Sequence, residues 1–273
     1  MSIILQSLTM PALLEAIEAN LGEEMAWFGR ALPRGELHKT PELLWIYTGP
    51  GSPNGVIHSS FASEEPAYVS RRIDEMMSFY LARGVSFGWT TGSLTRPAHL
   101  ASLLEARGFS LSGSTTAMAI DVQAMREDLP LNRELTISEI DDLQSLQSLR
   151  AIEMQGFDAS AKAAQTYYDT YAHAGFGHSL PWHHYLGSLR GAPVAIATLL
   201  YHAGVAGIFG VATIPAARRQ GVAASMTLHL LHEARKQGYR IAVLSPTEMS
   251  EAIYRRIGFQ SYGTLLHYGS PRG

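Results

Sequence analysis

The chain has 273 residues, 46% of them hydrophobic, and a formal net charge of −3. This length predicts one large or two ordinary domains, and the composition is that of a well-packed globular protein. The small negative charge argues against a broad nucleic-acid-binding surface. The absence of cysteine excludes disulfides, thiolate nucleophiles and thiolate metal ligands.

Nothing in the sequence predicts a membrane segment or a secretion signal. No apolar run approaches the roughly 18 residues that a membrane span requires. Residues 1–10 lack the basic start and the long apolar centre of a signal peptide. We therefore expect a cytoplasmic protein without a membrane or nucleic-acid partner.

The first half of the chain alternates between strand and helix patterns. Residues 43–47 and 56–61 are predicted strands. Residues 66–82 are a predicted helix, because their apolar side chains recur at helical spacing. This helix is expected to end at Gly84 and a further helix to end at Gly108, and each is followed by a predicted strand.

A polar stretch at residues 123–132, with Pro130 near its end, predicts a linker. The next elements are a short strand at 135–138, a helix ending near Gly156, and a helix at 158–173 with Asp158 or Ser160 as its N-cap. Three strands follow at 182–189, 192–201 and 205–214, joined by turns that contain glycine.

The third of these strands leads into Arg218-Arg219-Gln220-Gly221-Val222-Ala223. Pro215 ends the strand, since it cannot donate a ladder hydrogen bond. Gly221 can adopt positive φ and lets the backbone approach an anion closely. An amphipathic helix then runs to Gly238, so its positive dipole end and the two arginines face the loop. The pattern favours binding of a diphosphate.

A second motif lies downstream of this helix. A buried strand is predicted at 239–244, followed by a helix with Met249, Ala252, Ile253 and Ile257 on one face. Tyr254 lies just off that face, where its phenol could reach a cleft. Gly258 ends the helix and Phe259 begins the next strand.

Together the two motifs resemble the acyl-CoA pyrophosphate loop and the second motif of the GNAT (N-acetyltransferase) superfamily. The resemblance implies acetyl-CoA (coenzyme A) as donor and an end of the third strand that splays from its neighbour and pairs with the pantetheine arm. The expected donor-binding residues are Val211, Ala212, Thr213, Arg218, Arg219, Gln220, Gly221, Val222, Ala223 and Ala224.

The first half contains a faint copy of the second. The glycines that end its two helices are 24 residues apart (108 − 84), against 20 (258 − 238) in the second half. Glu64 and Glu65 stand where the copy would need its phosphate loop, and Leu104 stands in the place of Tyr254. The chain thus resembles tandem GNAT proteins with a degenerate N-terminal half.

The fold expected from this resemblance is α/β (α+β), with two GNAT-like domains in tandem. Each would have a mixed, largely antiparallel central sheet flanked by helices. Residues 1–125 would form the degenerate domain without a donor site, and residues 126–273 would form the acyl-CoA-binding domain.

Transfer to an amine requires that the amine lose a proton and that the leaving thiolate gain one. Tyr254 is the predicted acid, since the family usually has a tyrosine here and its pKa is near 10 against about 8.5 for a thiol. Thr247 departs from the family, which often has asparagine there. The general base stays open between Glu153 and the His-rich residues 173–185, which could instead line the acceptor pocket or pack as a loop.

His183 and His184 should face opposite ways on a strand, so we expect no metal site.

The predicted activity is direct transfer of an acetyl group to the primary amine of a small molecule. Two alternatives stay open: a non-catalytic acyl-CoA sensor, and an aminoacyl-tRNA-dependent transferase. The intact loop and the lack of a basic face argue against the second. A homodimer is left open.

Overall fold

The structure is a computed structural model that describes residues 4–6, 9–51 and 53–271. Part of the segment for which we expected no secretion signal, residues 1–10, lies outside these residues. The chain divides into two compact units. The C-terminal unit comprises Ala117–Tyr262 together with the described residues up to Leu21, and the N-terminal unit comprises Gly22–Thr116 and the residues from Gly263 onward.

The division by compactness falls inside α1 (Met10–Ala31), β5 (Ser110–Asp121) and β11 (Gln260–Gly269). These units follow spatial contacts, whereas the expected division into residues 1–125 and 126–273 follows the sequence repeat. The sequence-based boundary stays a prediction.

The N-terminal unit has a sheet in the order β1–β2–β3–β4–β11. The pairs are antiparallel except for β3 and β4, which are parallel. Its further elements are β1 (Glu36–Lys39), β2 (Leu43–Tyr47), β3 (Gly55–Ser59), α2 (Pro66–Leu81), β4 (Gly88–Thr91) and α3 (Leu100–Glu105). The apolar face of α2 packs into the buried core at Val69, Ile73, Met76 and Tyr80.

The C-terminal unit has a sheet in the order β5–β10–β9–β8–β7–β6. Here too one pair, β10 and β9, is parallel and the described pairs of the others are antiparallel. Its further elements are β6 (Leu135–Glu139), α4 (Leu143–Gly156), α5 (Ala161–Ala174), β7 (Trp182–Leu189), β8 (Ala192–His202), β9 (Val205–Thr213), α6 (Val222–Lys236), β10 (Ile241–Leu244) and α7 (Glu251–Ile257).

Helices cover both faces of this sheet. A Cβ added to Gly187 would lie 2.7 Å from Sδ of Met226 on α6, and one added to Gly156 of α4 would lie 2.8 Å from Cβ of Ala212. Ala195 pairs with Gly187, and its neighbour Ile196 pairs with Ala212. Since adjacent strand residues point to opposite faces, α4 and α6 pack on opposite sides of the sheet.

Each unit thus has a mixed, largely antiparallel sheet flanked by helices, as the sequence predicts. Two details differ. Helix α1 falls on residues for which the sequence analysis predicted no element. Strand β4 begins at Gly88, three residues after the first predicted strand position, Val85, because Gly84 is left-handed (φ +63°) and residues 85–87 form a connection in which Phe87 N–H is bound by Oγ of Ser270.

Asn20 of α1 ties the helix to the β8–β9 hairpin. Its Nδ2 donates to the carbonyl oxygens of Leu200, His202 and Val205 at 3.3, 3.1 and 3.4 Å. The side chain is fully buried, and a Cβ on Gly207 would lie only 2.0 Å from its Oδ1. The glycine therefore makes room for the amide.

Replacing Asn20 with alanine should lower the free energy of unfolding by about 1–3 kcal/mol, because hairpin carbonyls lose their donor in a buried place. Urea denaturation measures the change. Glu15→Ala, at an exposed position of the same helix, is the matched control and should stay within about 0.5 kcal/mol of the wild type. Equal stabilities of N20A and E15A would contradict this role.

Candidate functional site

The loop between β9 and α6 has the geometry of an anion site. A 3₁₀ turn at Pro215–Ala217 follows the strand, and Gly221 precedes α6 with φ +76°. Arg219 is left-handed as well, with φ +62°. Val222 and Ala224 are buried in the first turn of the helix, whereas Arg219 and Gln220 are exposed.

The backbone N–H groups of residues 219–224 are the hydrogen-bond donors that this loop offers to a ligand. The first helical acceptor in use is Gly221 O, which binds Ser225 N–H at 3.0 Å. For the N–H groups of residues 219–224, no acceptor occurs among the residues that the structure describes. Successive N–H donors at a positive helix end are suited to phosphate oxygens.

Strand β9 continues beyond its parallel partner. Its pairing with β10 consists of Ala206 with Ala242 and Gly207 with Val243, yet β9 runs on to Thr213. Gly210 is left-handed, with φ +58°, at the point where the β8–β9 register shifts. This divergence, expected from the resemblance, leaves Val211, Ala212 and Thr213 unpaired on that edge among the described strands.

The Arg218 side chain is directed into the protein. Its Nε donates to Thr213 O at 3.2 Å and its Nη2 donates to Gly156 O at 2.8 Å. The guanidinium therefore joins the end of β9 to the C-terminal end of α4. Arg219, by contrast, is exposed at the same loop.

A residue that sequence analysis missed, Asn132, holds the loop from the other side. Its Nδ2 donates to Gln220 O at 3.1 Å, and its N–H donates to Oγ of Ser225 at 3.0 Å. A Cβ on Gly221 would lie 2.7 Å from Pro130 O. No local pattern could have identified Asn132, because it lies at the end of a polar linker, about ninety residues from the loop.

Tyr254 is buried in the core of the C-terminal unit, with 6% of its surface exposed. Burial raises the pKa of its phenol to about 12, and hydrogen bonding with Ser250 and Thr227 opposes this rise. Thr227 Oγ1 in turn donates to Ala223 O at 2.9 Å. The phenol is thus connected to the first turn of α6, where the free N–H groups lie.

The two adjacent histidines of β7 contact different groups. His183 Nδ1 lies 2.6 Å from Oε1 of Glu139, and His184 Nδ1 lies 2.9 Å from Oγ1 of Thr198. Burial lowers the pKa of His184 to about 3, helped by the charge of His183. A group with so low a pKa is a poor base for an alkylamine at neutral pH.

Trp182 packs with Tyr171, His184 and Phe209 at ring separations of 5.7–5.9 Å. This favours the interpretation of the start of β7 as packed core. Glu153 is buried on α4, with 5% of its surface exposed. Among the described residues, no group of three or more His, Asp or Glu side chains is arranged to hold a metal ion, and no helix is long and apolar enough to cross a membrane.

Residues 186–262, which include the loop and Tyr254, match a family model described as an acetyltransferase (GNAT) domain. Comparison with curated proteins gives no match. Among solved structures, the chain is similar to a GCN5-related N-acetyltransferase from Kribbella flavida, with 19% identity and a TM-score of 0.72 over 94% of this chain and 96% of that one.

It is also similar to a tandem GNAT protein from the clavulanic acid biosynthesis pathway, with 13% identity and a TM-score of 0.64 over 97% of this chain and 95% of that one. A GCN5-related N-acetyltransferase from Sphaerobacter thermophilus shares 14% identity and a TM-score of 0.64 over 96% and 92% of the two chains. At such identities the likeness shows the fold. The likeness extends over nearly the whole chain and is consistent with two GNAT-like folds in tandem, and the domain match confirms the resemblance of residues 186–262 to the GNAT superfamily.

The buried imidazole of His184 predicts a loss of stability in acid. The unfolded chain, with a histidine pKa near 6.5, binds the proton before the folded chain, whose pKa is about 3, so stability falls as the pH drops between these values. By about pH 4.5 the wild type should lose about 3 kcal/mol more unfolding free energy than His184→Gln, which keeps a polar partner for Thr198.

Urea denaturation at neutral pH and at about pH 4.5 measures this difference. The same substitution at the exposed His178 is the matched control and should leave the acid response unchanged. If H184Q and the wild type lose equal stability, the imidazole is not held neutral by burial.

Proposed function

We propose that the protein is an acetyl-CoA-dependent N-acetyltransferase that acts on the primary amine of a small molecule by direct transfer. The observation that carries this is the run of N–H groups at residues 219–224 without an acceptor, next to a strand edge at Val211–Thr213 that no described strand pairs with and where Arg218 binds Thr213 O. The GNAT domain match over residues 186–262 supports acetyl transfer as the chemistry.

In this proposal the diphosphate of acetyl-CoA accepts hydrogen bonds from the N–H groups of Arg219, Gln220, Gly221, Val222, Ala223 and Ala224. The Arg219 guanidinium adds charge from the exposed side, while Arg218 keeps α4 and β9 together. The pantetheine amides pair with the free edge of β9 at Val211, Ala212 and Thr213, as an added strand would.

Tyr254 then acts on the leaving thiolate. With a phenol pKa of about 12 and a thiol pKa near 8.5, complete proton transfer is uphill by about 5 kcal/mol. Donation of a hydrogen bond by the phenol to the developing negative charge avoids that cost and still stabilises the transition state. The general base is left open between Glu153 and the other histidines of residues 173–185, since the low pKa of His184 makes that residue a poor base.

A sensor that binds acetyl-CoA without turnover would have the same loop. It differs from the enzyme in having no use for Tyr254, so the two are separated by activity. An aminoacyl-tRNA-dependent transferase has less support, because the phosphate loop is intact and the chain carries a net charge of −3. The cytoplasmic location stays a prediction.

Charge reversal at Arg219 tests the donor site. Arg219→Glu should raise the Kd for acetyl-CoA by about tenfold, since it places a carboxylate beside the diphosphate without changing the buried side of the loop. Isothermal titration calorimetry measures the change. Gly221→Glu is a less clean test, because its side chain would also collide with Pro130 O, 2.7 Å from the Cβ position.

The matched control is Arg190→Glu. Arg190 is also exposed and left-handed, with φ +51°, but it lies in the β7–β8 turn. Its substitution should leave the Kd unchanged. If the wild type binds no acetyl-CoA, or if R219E and R190E behave alike, the loop is not the donor site.

Tyr254→Phe tests the chemical step. The variant should bind acetyl-CoA with an unchanged Kd, while kcat falls by about 100-fold, the lower end of the effect of losing one hydrogen-bond donor to a developing negative charge. Release of the CoA thiol is followed with a panel of primary amines: an amino sugar, a diamine and an aromatic amine. Tyr262→Phe, a partly buried tyrosine near the same end of the domain, is the control.

If turnover is unchanged in Y254F, Tyr254 only packs in the core and has no part in the chemical step. Tight binding without turnover of any amine, in the wild type as in the variant, would favour the sensor.

A further inference from the structure

The N-terminal unit repeats the backbone arrangement of the candidate donor site. Strand β3, helix α2 and strand β4 follow one another as β9, α6 and β10 do. In both units the two strands form a short parallel pair, here Gly55 with Gly88 and Val56 with Trp89. In both, the first strand has a register shift beyond that pair, directly after it in β3 and a few residues further on in β9. The places that acetyl-CoA is proposed to occupy in the C-terminal unit therefore have equivalents in the N-terminal unit.

The strand edge that corresponds to the open edge of β9 is occupied. Arg96 N–H donates to Ser59 O at 3.2 Å, and Phe61 N–H donates to Arg96 O at 3.1 Å. Ser60 and Arg96 thereby form a parallel bridge. One backbone residue of the segment after β4 thus makes both hydrogen bonds that an added amide would make at this edge.

The anion position before α2 is occupied too. Ala62 N–H donates to Oε1 of Glu42 at 2.7 Å, and the hydroxyl of Tyr68 donates to the same oxygen at 2.7 Å. Nε of Arg72 lies 3.1 Å from Oε2 of Glu42. The carboxylate of Glu42, just before β2, therefore accepts hydrogen bonds from a backbone N–H and a hydroxyl and forms an ion pair with a guanidinium, the kinds of group that also bind a phosphate.

The environment of Glu42 stabilises its charge. Burial acts to raise the pKa of the carboxyl group, but the hydrogen bonds from Ala62 and Tyr68 and the charge of Arg72 outweigh it and lower the pKa. The rest of the loop offers little to a second anion, since Pro66 has no N–H and Glu65 N–H is bound by Oγ of Ser63 at 3.2 Å.

We propose that the N-terminal unit is a donor fold closed by its own residues, with the Arg96 backbone in the place of the pantetheine and the Glu42 carboxylate in the place of the diphosphate. A cavity of about 190 Å³ lies beside Arg96, which is below the roughly 300–1,000 Å³ of typical ligand pockets. Combined with the proposed function of the other unit, this closure limits the full chain to one acetyl-CoA.

Chemical rescue in the full-length protein tests whether the Glu42 carboxylate occupies the anion position. Glu42→Ala should be less stable than the wild type, because Ala62 and Tyr68 lose a shared acceptor and Arg72 loses an ion-pair partner. Acetate should restore part of that stability by binding in the vacated place, so the melting temperature should rise with acetate above the rise given by chloride at equal ionic strength.

Glu36→Ala is the matched control: that glutamate also pairs with an arginine and a histidine, Arg83 and His38, at 3.5 and 2.8 Å, but it receives no backbone N–H in the described residues. It should show no preference for acetate over chloride. If E42A unfolds, Glu42→Gln replaces it: the amide keeps an acceptor for Ala62, and exchange of the Ala62 amide hydrogen should be slowed in the wild type and in E42Q alike.

Three outcomes separate the two proposals. The proposed role of Glu42 at the anion position is overturned if acetate gives no specific rescue, or if the Ala62 amide hydrogen exchanges fast in the wild type. Binding of two acetyl-CoA molecules per chain in calorimetry overturns the closure. Rescue by acetate without any binding of acetyl-CoA supports the closure and instead contradicts the proposed function of the C-terminal unit.

Discussion

The short parallel pair between β9 and β10 is the constraint on which the candidate site depends. Two residue pairs join these strands, so β9 must leave its neighbour while still held by β8 along its other edge. Backbone groups on the free edge then need a partner from outside the sheet. The same divergence directs the chain into the loop before α6, which places the open strand edge and the open helix end side by side.

The loop is kept in this shape by contacts that point away from the open side. Asn132 binds Gln220 O and Ser225 Oγ, and Arg218 binds the carbonyls of Thr213 and Gly156. With the carbonyl groups engaged behind it, the loop presents N–H groups in front. Such preorganisation lowers the entropy lost when a ligand binds. The N-terminal unit has the same topology but no open site, since the Arg96 backbone pairs with its strand edge and the Glu42 carboxylate binds the donors before its helix.

Sequence reasoning could predict the elements because their signals are local. The helical spacing around Val69 and Ile73, the glycines at 84, 108, 238 and 258, and the loop at Arg218–Ala223 are each legible within about fifteen residues. The serine N-cap at Ser160 was one of two alternatives, and the structure selects it. Asn132, Gly156 and Glu42 could not be found this way, since each acts on a segment distant in sequence. The burial of Tyr254 likewise follows from packing, which the pattern near Gly258 does not encode.

The left-handed backbone of Arg219 has an evolutionary consequence. Glycine or asparagine adopts φ +62° at less cost than arginine, so stability alone would favour either at this exposed position. A library selected only for thermal tolerance should therefore drift away from arginine here, and the drifted proteins should fold well while holding anions less tightly. Retention of a strained cation on the surface would then mark a position where selection acts on a ligand rather than on the fold.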